Sequence, residues 1–428
     1  MRALFVVLIA VAALVVTPAR VTAQNQNGSK LAQLLPGMYE EAIEGEFNAF
    51  VNVFGSLLDV ELLKQSKQER LNVVYNVIDL AGSQLSSFPL GSASGGFTWT
   101  FDTASAAVTR GSDSFGPIFA ERPLTIGRRR LNVGANYQRV TFDRLDGRRL
   151  RGGEIVGYFG QNLFQGFGLF FADSLDVTVT TDTLNAFATY GLTDRFDLGV
   201  AFPFNRVDLR ATLTSRVGST LTGVNDEIEP FVTSRSGTAS GLGDMVIRAK
   251  YTMLKRDTVG IAESIDVRLP TGDEYDLLGV AGPQIKLMVI ASTVVGRLSP
   301  HVNFAYTITG TSTSADDPAS VVVPPPEEIN YVGGADLALS LRTTVAVDAV
   351  GRIVRGVGAL SWVPSEFGSQ FQQFHLNLGQ DLHLLLGSVG LKVNPFGNML
   401  LTTNVLFPLT RRGLTDNLTW MAGFDYSF

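Results

Sequence analysis

From Arg129 onward the chain alternates apolar and polar residues over long stretches. Leu131, Val133, Ala135 and Tyr137 alternate with Asn132, Gly134, Asn136 and Gln138. Phe196, Leu198, Val200, Phe202 and Phe204 alternate with Arg195, Asp197, Gly199 and Asn205. Between Gly243 and Met253, Met245, Ile247, Ala249, Tyr251 and Met253 face one way, and Asp244, Val246, Arg248, Lys250 and Thr252 the other. In the last stretch, Leu418, Trp420, Ala422, Phe424, Tyr426 and Phe428 oppose Thr419, Met421, Gly423, Asp425 and Ser427. Period-two alternation describes strands with one apolar and one polar face. The stretches are about twice the ~5–6 residues of an average soluble strand and long enough to cross a bilayer, which takes ~9–11 tilted residues. In an open sheet the last stretch would be a sticky edge; a closed barrel turns it into a seam.

The connections support closure. Short turns at 191–194, 255–258, 296–300, 342–343 and 394–397 interleave with long connections at 144–176, 218–240, 271–282, 310–328 and 354–370. Outer-membrane barrels have this rhythm, with short turns on the periplasmic side and long loops outside. The expected fold is an all-β, transmembrane antiparallel β-barrel of 12 strands over residues 129–428, with Leu418–Phe428 between 398–408 and 129–142. Strands drawn from 95–128 would raise the count to 14. The apolar parity switches between Phe204 and Val207, which predicts a bulge near Pro203. Residues 371–382 predict a strand that projects beyond the membrane.

Residues 24–128 differ in kind. Leu31 to Glu46 and Val51 to Leu80 hold apolar residues at helical spacing, among them Leu58, Leu62, Leu71, Val74 and Ile78. They predict two or three helices, broken at Pro36-Gly37 and Gly55. Residues 81–128 are irregular, with one strand-like run at 96–101. Such an N-terminal segment plugs the lumen or packs in the periplasm; the pattern leaves both open.

Composition narrows the class. Charged residues are 17% of the chain, below the roughly 25% of soluble domains. There are no cysteines, which removes disulfides, thiolate metal sites and a lipoprotein anchor. Met1-Arg2, the apolar run Ala3 to Val16 and Val21-Thr22-Ala23 build a secretory signal peptide, residues 1–23, cleaved before Gln24. With Arg2 and Arg20 removed, the formal charge goes from −6 to −8 (32 basic against 40 acidic residues). That balance, without a basic stripe, argues against nucleic acid as a partner. The expected location is the outer membrane of a Gram-negative-type bacterium, in contact with outer-membrane lipid.

The face opposite the apolar one should line the lumen: Asp244, Arg248, Lys250, Asp266, Arg268, Lys286, His301, Asp336, Asp348, Arg352 and Lys392. Lys or Arg facing lipid would cost ~2–4 kcal/mol at mid-membrane, so confinement to one parity implies a polar interior. These charges either line a pore or pair into a ladder that fills a narrow barrel. No Gly-x-Ser-x-Gly motif accompanies the three histidines, so no enzyme is expected. Asp316-Asp317 and Glu327-Glu328 lack an ordered ligand spacing. Neither metal nor cofactor is expected.

Gly241-Leu-Gly-Asp244, Val267-Arg-Leu-Pro-Thr-Gly-Asp273 and the strand start at Gly282-Pro-Gln resemble the outer-membrane transporter-like family named for the meta-pathway of phenol degradation. The architecture is more distantly similar to the long-chain fatty acid outer-membrane channels. The resemblance implies uptake of hydrophobic compounds; with the barrel pattern, the expected function is a diffusion channel for small hydrophobic or aromatic permeants, gated or plugged by the N-terminal segment, although the helical segment over 30–80 departs from both families' patterns. The alternative is a closed structural or surface-binding barrel that acts through its long loops. Trp420, Phe424, Tyr426 and Phe428 resemble the C-terminal signal by which barrel-assembly machinery recognises its clients.

Overall fold

The computed structural model describes residues 30–54, 71, 74, 82, 84, 96–102, 107–110, 112–164, 167–220, 223–224, 230–256, 258–310, 325–377 and 379–428. The leader and most of the helical run predicted over 51–80 lie outside the described residues. Twelve antiparallel strands close the barrel: β1 (Leu131–Phe142), β2 (Phe167–Gly191), β3 (Phe196–Ser219), β4 (Met245–Lys255), β5 (Val259–Leu269), β6 (Gln284–Thr293), β7 (Leu298–Thr309), β8 (Glu328–Ser340), β9 (Thr343–Val354), β10 (Leu382–Val393), β11 (Met399–Pro408) and β12 (Thr419–Ser427). Each pairs with its sequence neighbours, and β12 closes onto β1 through Trp420↔Arg139 to Ser427↔Asn132. Within the ring of twelve strands no edge is left open, which removes the sticky edge that the alternation of β12 would otherwise present. Trp99–Asp102 and Ala107–Arg110 pair with each other, so among the described residues between 96 and 128 no strand joins the wall.

The outer face is apolar around the ring. Leu198, Ile247, Tyr251, Ile265, Leu287, Phe304, Val347, Val389, Leu401 and Trp420 are large, hydrophobic and exposed. In water such a belt would drive aggregation; facing hydrocarbon it is the required surface.

The predicted bulge at Pro203 is absent. β2 and β3 pair without a break from Leu169↔Ser219 to Gly191↔Asp197, and odd-numbered residues of β3 are the buried ones both below and above Pro203. What changes is the chemistry of each face. Below the switch the outward residues are Leu198, Val200, Phe202 and Phe204; above it they are Arg206, Asp208, Arg210 and Thr212. Inward residues change in the opposite sense, from Asp197 and Gly199 to Val207, Leu209, Ala211 and Leu213, all buried. The strand leaves the bilayer near Asn205, where its outside meets water and its inside becomes a protein core. β1 and β2 cross the same level, where Tyr137 Oη donates to Asp182 at 2.5 Å and Arg139 lies 3.7 Å from that carboxylate.

Above that level the wall is extended by Phe231–Leu242 on β3 and Ile155–Phe164 on β2. Inside it sits a 3₁₀ turn, Leu31–Gln33, followed by α1 (Leu34–Phe54). Leu31, Leu35, Met38, Tyr39, Ala42 and Ile43 form one core with Val140, Phe142, Val177, Val207, Leu209 and Leu213. Pro36-Gly37 does not break α1 as predicted. Pro36 falls in the first helical turn, where its missing N–H would have no intrahelical acceptor. The projecting strand predicted over 371–382 is also corrected. Gly368–Asn377 pairs with Ala359–Ser365 in a separate hairpin, and β10 starts anew at Leu382.

Candidate functional site

The polar half of the lumen is threaded by residues 112–127. Asp348 Oδ2 accepts the backbone N–H groups of Ile118 and Phe119, each at 3.2 Å. Asp336 accepts the Ser114 hydroxyl, and Thr344 Oγ1 accepts the Phe115 N–H at 2.9 Å. Lys392 Nζ donates to the Pro117 carbonyl at 2.6 Å, and Lys250 Nζ to the Leu124 carbonyl at 3.0 Å. Arg248 pairs with Glu121 of the segment and with Asp266 of the wall. His301 stands between two of the carboxylates, with Nε2 2.6 Å from Asp348 Oδ1 and Nδ1 3.3 Å from Asp336 Oδ1. A Cβ on Gly334 would come within 2.9 Å of His301 Nε2, and one on Gly390 would collide with Ile118. Glycine at these inward positions is what lets the segment and the histidine approach the wall.

Between this segment and the long-connection end lies a cavity of about 230 Å³. Its apolar lining includes Phe119, Phe142, Met288, Tyr331, Val350 and Leu386. Its charged lining comprises Arg248, Arg268, Lys286, Arg352 and Arg412 against Glu121, Asp266 and Glu328. Lys286 Nζ is 3.4 Å from Asp266, and Arg352 Nη1 is 3.7 Å from Glu328. Among the described residues, no group of three or more His, Asp or Glu side chains could hold a metal ion.

At the long-connection end the two motifs of the sequence meet. Asp244 Oδ1 accepts the Gly272 N–H at 3.1 Å, and its Oδ2 accepts the Val280 N–H at 2.9 Å. Thr271 Oγ1 donates to the Gly243 carbonyl at 2.7 Å and accepts the Met245 N–H at 3.0 Å. The same loop holds the N-terminal segment. Lys30 Nζ donates to Asp273 at 2.7 Å and to Asp276 at 2.6 Å, and the Leu31 N–H reaches Asp276 at 3.3 Å. Burial pulls the Lys30 ammonium down, but the two carboxylates outweigh it and hold it above its ordinary value.

The eleven inward positions read from alternation therefore serve three different settings. Lys250, His301, Asp336, Asp348 and Lys392 are buried against residues 112–127 or against groups that hold them. Arg248, Asp266, Arg268, Lys286 and Arg352 border the cavity. Asp244 does neither; it ties down the 271–282 loop. Residues 112–127 carried no periodic signal, and their only trace in the sequence is apolar residues, Phe115, Ile118, Phe119, Ile126, scattered among Pro and Gly.

Residues 151–363 match the family model described as "Putative MetA-pathway of phenol degradation". This is the family that the G-L-G-D and L-P-T-G-D motifs resemble. The match takes in both motifs and strands β2 to β9, and leaves out β1 and the last three strands. No curated protein matches the chain. Among solved structures, an outer membrane channel from Pseudomonas putida F1 is 14% identical over 71% of this chain and 97% of its own, with a TM-score of 0.43. The toluene transporter TbuX of Ralstonia pickettii is 11% identical over 72% of this chain and 92% of its own, with a TM-score of 0.36.

Proposed function

We propose that this phenol meta-pathway family member is an outer-membrane channel for small hydrophobic or aromatic compounds, closed in this conformation by residues 112–127. The observation that carries the reading is the cavity inside the barrel wall, bordered by Phe119 and Glu121 of the threaded segment and by Gln84. A barrel that only displayed loops would need no such compartment. Its mixed lining, aromatic and aliphatic with a few convergent charges, is the usual composition of a small-molecule site. The family description, which speaks of phenol degradation, agrees with an aromatic permeant. Ten of the eleven inward residues then divide between lining the route and holding its closure, while Asp244 ties down the 271–282 loop. The leader would direct export, and Trp420, Phe424, Tyr426 and Phe428 would engage the barrel-assembly machinery.

A second reading has its own support. The contacts of 112–127 with Asp336, Asp348, Lys250 and Lys392 are numerous and buried, as a permanently closed, surface-binding barrel would have them. Reconstitution separates the two. Purified protein in planar bilayers and liposomes is expected to conduct and to pass monocyclic aromatics. Tight liposomes for every such compound, together with unchanged uptake on gene deletion, would leave only the surface-binding reading.

A further inference from the structure

The short-turn end of the barrel is ringed by cations. Arg128, Arg129 and Arg130 precede β1, and the Arg129 N–H donates to the Gly191 carbonyl of the first turn at 2.7 Å. Arg195 follows that turn, Lys255 and Arg256 open the next, and Arg297 and Arg342 occupy the two after it. Against these eight cations stand Asp194 and, in sequence, Asp257. Seven of the eight are exposed, and the eighth, Arg130, lies over the Trp99 ring, 4.9 Å from its centre. Asp194 acts on Lys255 at longer range, but among the described residues none of the eight joins an ion pair.

Apolar side chains share this rim. Leu192, Val295, Leu341 and Phe396 project from the turn tips, and Leu341, at 71%, is the most exposed large hydrophobic side chain among the described residues. No polar collar separates them from the lipid face. Met253, Leu298 and Leu339, exposed on outward rows, stand within two residues of Lys255, Arg297 and Leu341 respectively. A protein partner would cover a patch on one side, whereas these side chains follow the turns from β1 round to β11. Apolar tips interleaved with cations at the edge of a hydrocarbon-facing belt make a surface suited to the interface of an anionic bilayer.

We propose that the short-turn rim is a docking surface for the anionic phospholipid headgroups of the periplasmic leaflet, the side on which short turns of outer-membrane barrels lie. The apolar tips enter the headgroup boundary. The arginines bind lipid phosphates, to which a guanidinium donates two parallel N–H groups. The barrel thereby gathers negatively charged phospholipid around its lower edge. This holds whether or not the barrel conducts.

Electron spin resonance on the full chain in phosphatidylcholine vesicles tests the surface, with spin-labelled phosphatidylglycerol or phosphatidylcholine as the probe. At low salt, phosphatidylglycerol is expected to associate about threefold more strongly than phosphatidylcholine, within the roughly fivefold that one basic side chain supplies at an anionic surface. The preference should fall toward one in about 1 M salt, where the screening length shrinks to about 3 Å. The combined variant Arg128→Gln, Arg256→Gln, Arg297→Gln, Arg342→Gln should also bring it toward one. Arg148→Gln, Arg151→Gln, Arg411→Gln, which removes exposed cations at the long-connection end, should leave it at the wild-type value. Equal association of the two lipids with the wild-type protein overturns the proposal, and is the outcome if the rim serves an acidic protein instead. A preference kept in the rim variant, or lost in the long-connection variant, overturns it as well. If the rim variant does not fold, the salt series on the wild-type protein decides: a preference unchanged by salt counts against the headgroup contacts.

Discussion

Asp244 and Gly272 meet through a hydrogen bond of 3.1 Å that joins the G-L-G-D and L-P-T-G-D motifs across the start of β4 and the end of β5. The carboxylate is buried, and its second oxygen takes the Val280 N–H. Both motifs thus serve one purpose: they fold the 271–282 loop back onto the barrel rim. From there, Asp273 and Asp276 hold Lys30 and, through it, the start of the N-terminal helix. Replacing Asp244 with alanine leaves two buried N–H groups without a charged acceptor. The expected cost is roughly 2–4 kcal/mol, read as a lower midpoint in urea unfolding from lipid vesicles. Asn at this position retains one acceptor and should lose less.

In the proposed channel, closure by residues 112–127 would depend on Asp348, which meets His301 Nε2 at 2.6 Å and two N–H groups of the threaded segment. Asp348→Ala removes all three contacts. Each hydrogen bond to a charged group contributes about 1.5–3 kcal/mol, so the open fraction should rise at least about tenfold. Single-channel recording reads this directly; an unchanged closed state would mean that 112–127 does not gate the barrel.

The switch of face chemistry on β3 makes a prediction about position alone. Val200→Arg puts a cation on the lipid face and should cost about 2–4 kcal/mol if it lies near mid-membrane. Thr214→Arg occupies the same outward row above the switch and should cost under about 0.5 kcal/mol, as surface substitutions do. Equal costs in equilibrium unfolding would place the whole strand in one environment and refute the boundary at Asn205.

The seam of the barrel supports a prediction about assembly. The Phe428 N–H donates to the Leu131 carbonyl at 2.7 Å, and its ring packs edge-on against Tyr426 at 4.8 Å between centroids. Phe428→Ala is expected to lower the amount of folded protein in the outer membrane while leaving the conductance of the molecules that do insert unchanged. Wild-type levels in fractionated membranes would argue against an insertion signal here.

The twelve strands, their order and the inward row of charges were legible in the chain because alternation is local. A residue's side of a strand is set by its parity, whatever lies opposite. His301, Asp348 and Lys392 could be placed on the interior in this way, and Trp420 and Phe424 on the exterior. Alternation says nothing about what fills the interior. That depends on residues far apart in sequence, such as Ser114 with Asp336 and Ile118 with Asp348, whose meeting requires the closed ring. The same limit explains the misread parity near Pro203. An apolar residue signals burial, and burial against lipid cannot be told from burial against protein by composition. Only the tertiary structure shows that Phe204 faces hydrocarbon while Val207, three residues on, faces a core completed by Met38 and Tyr39 of α1.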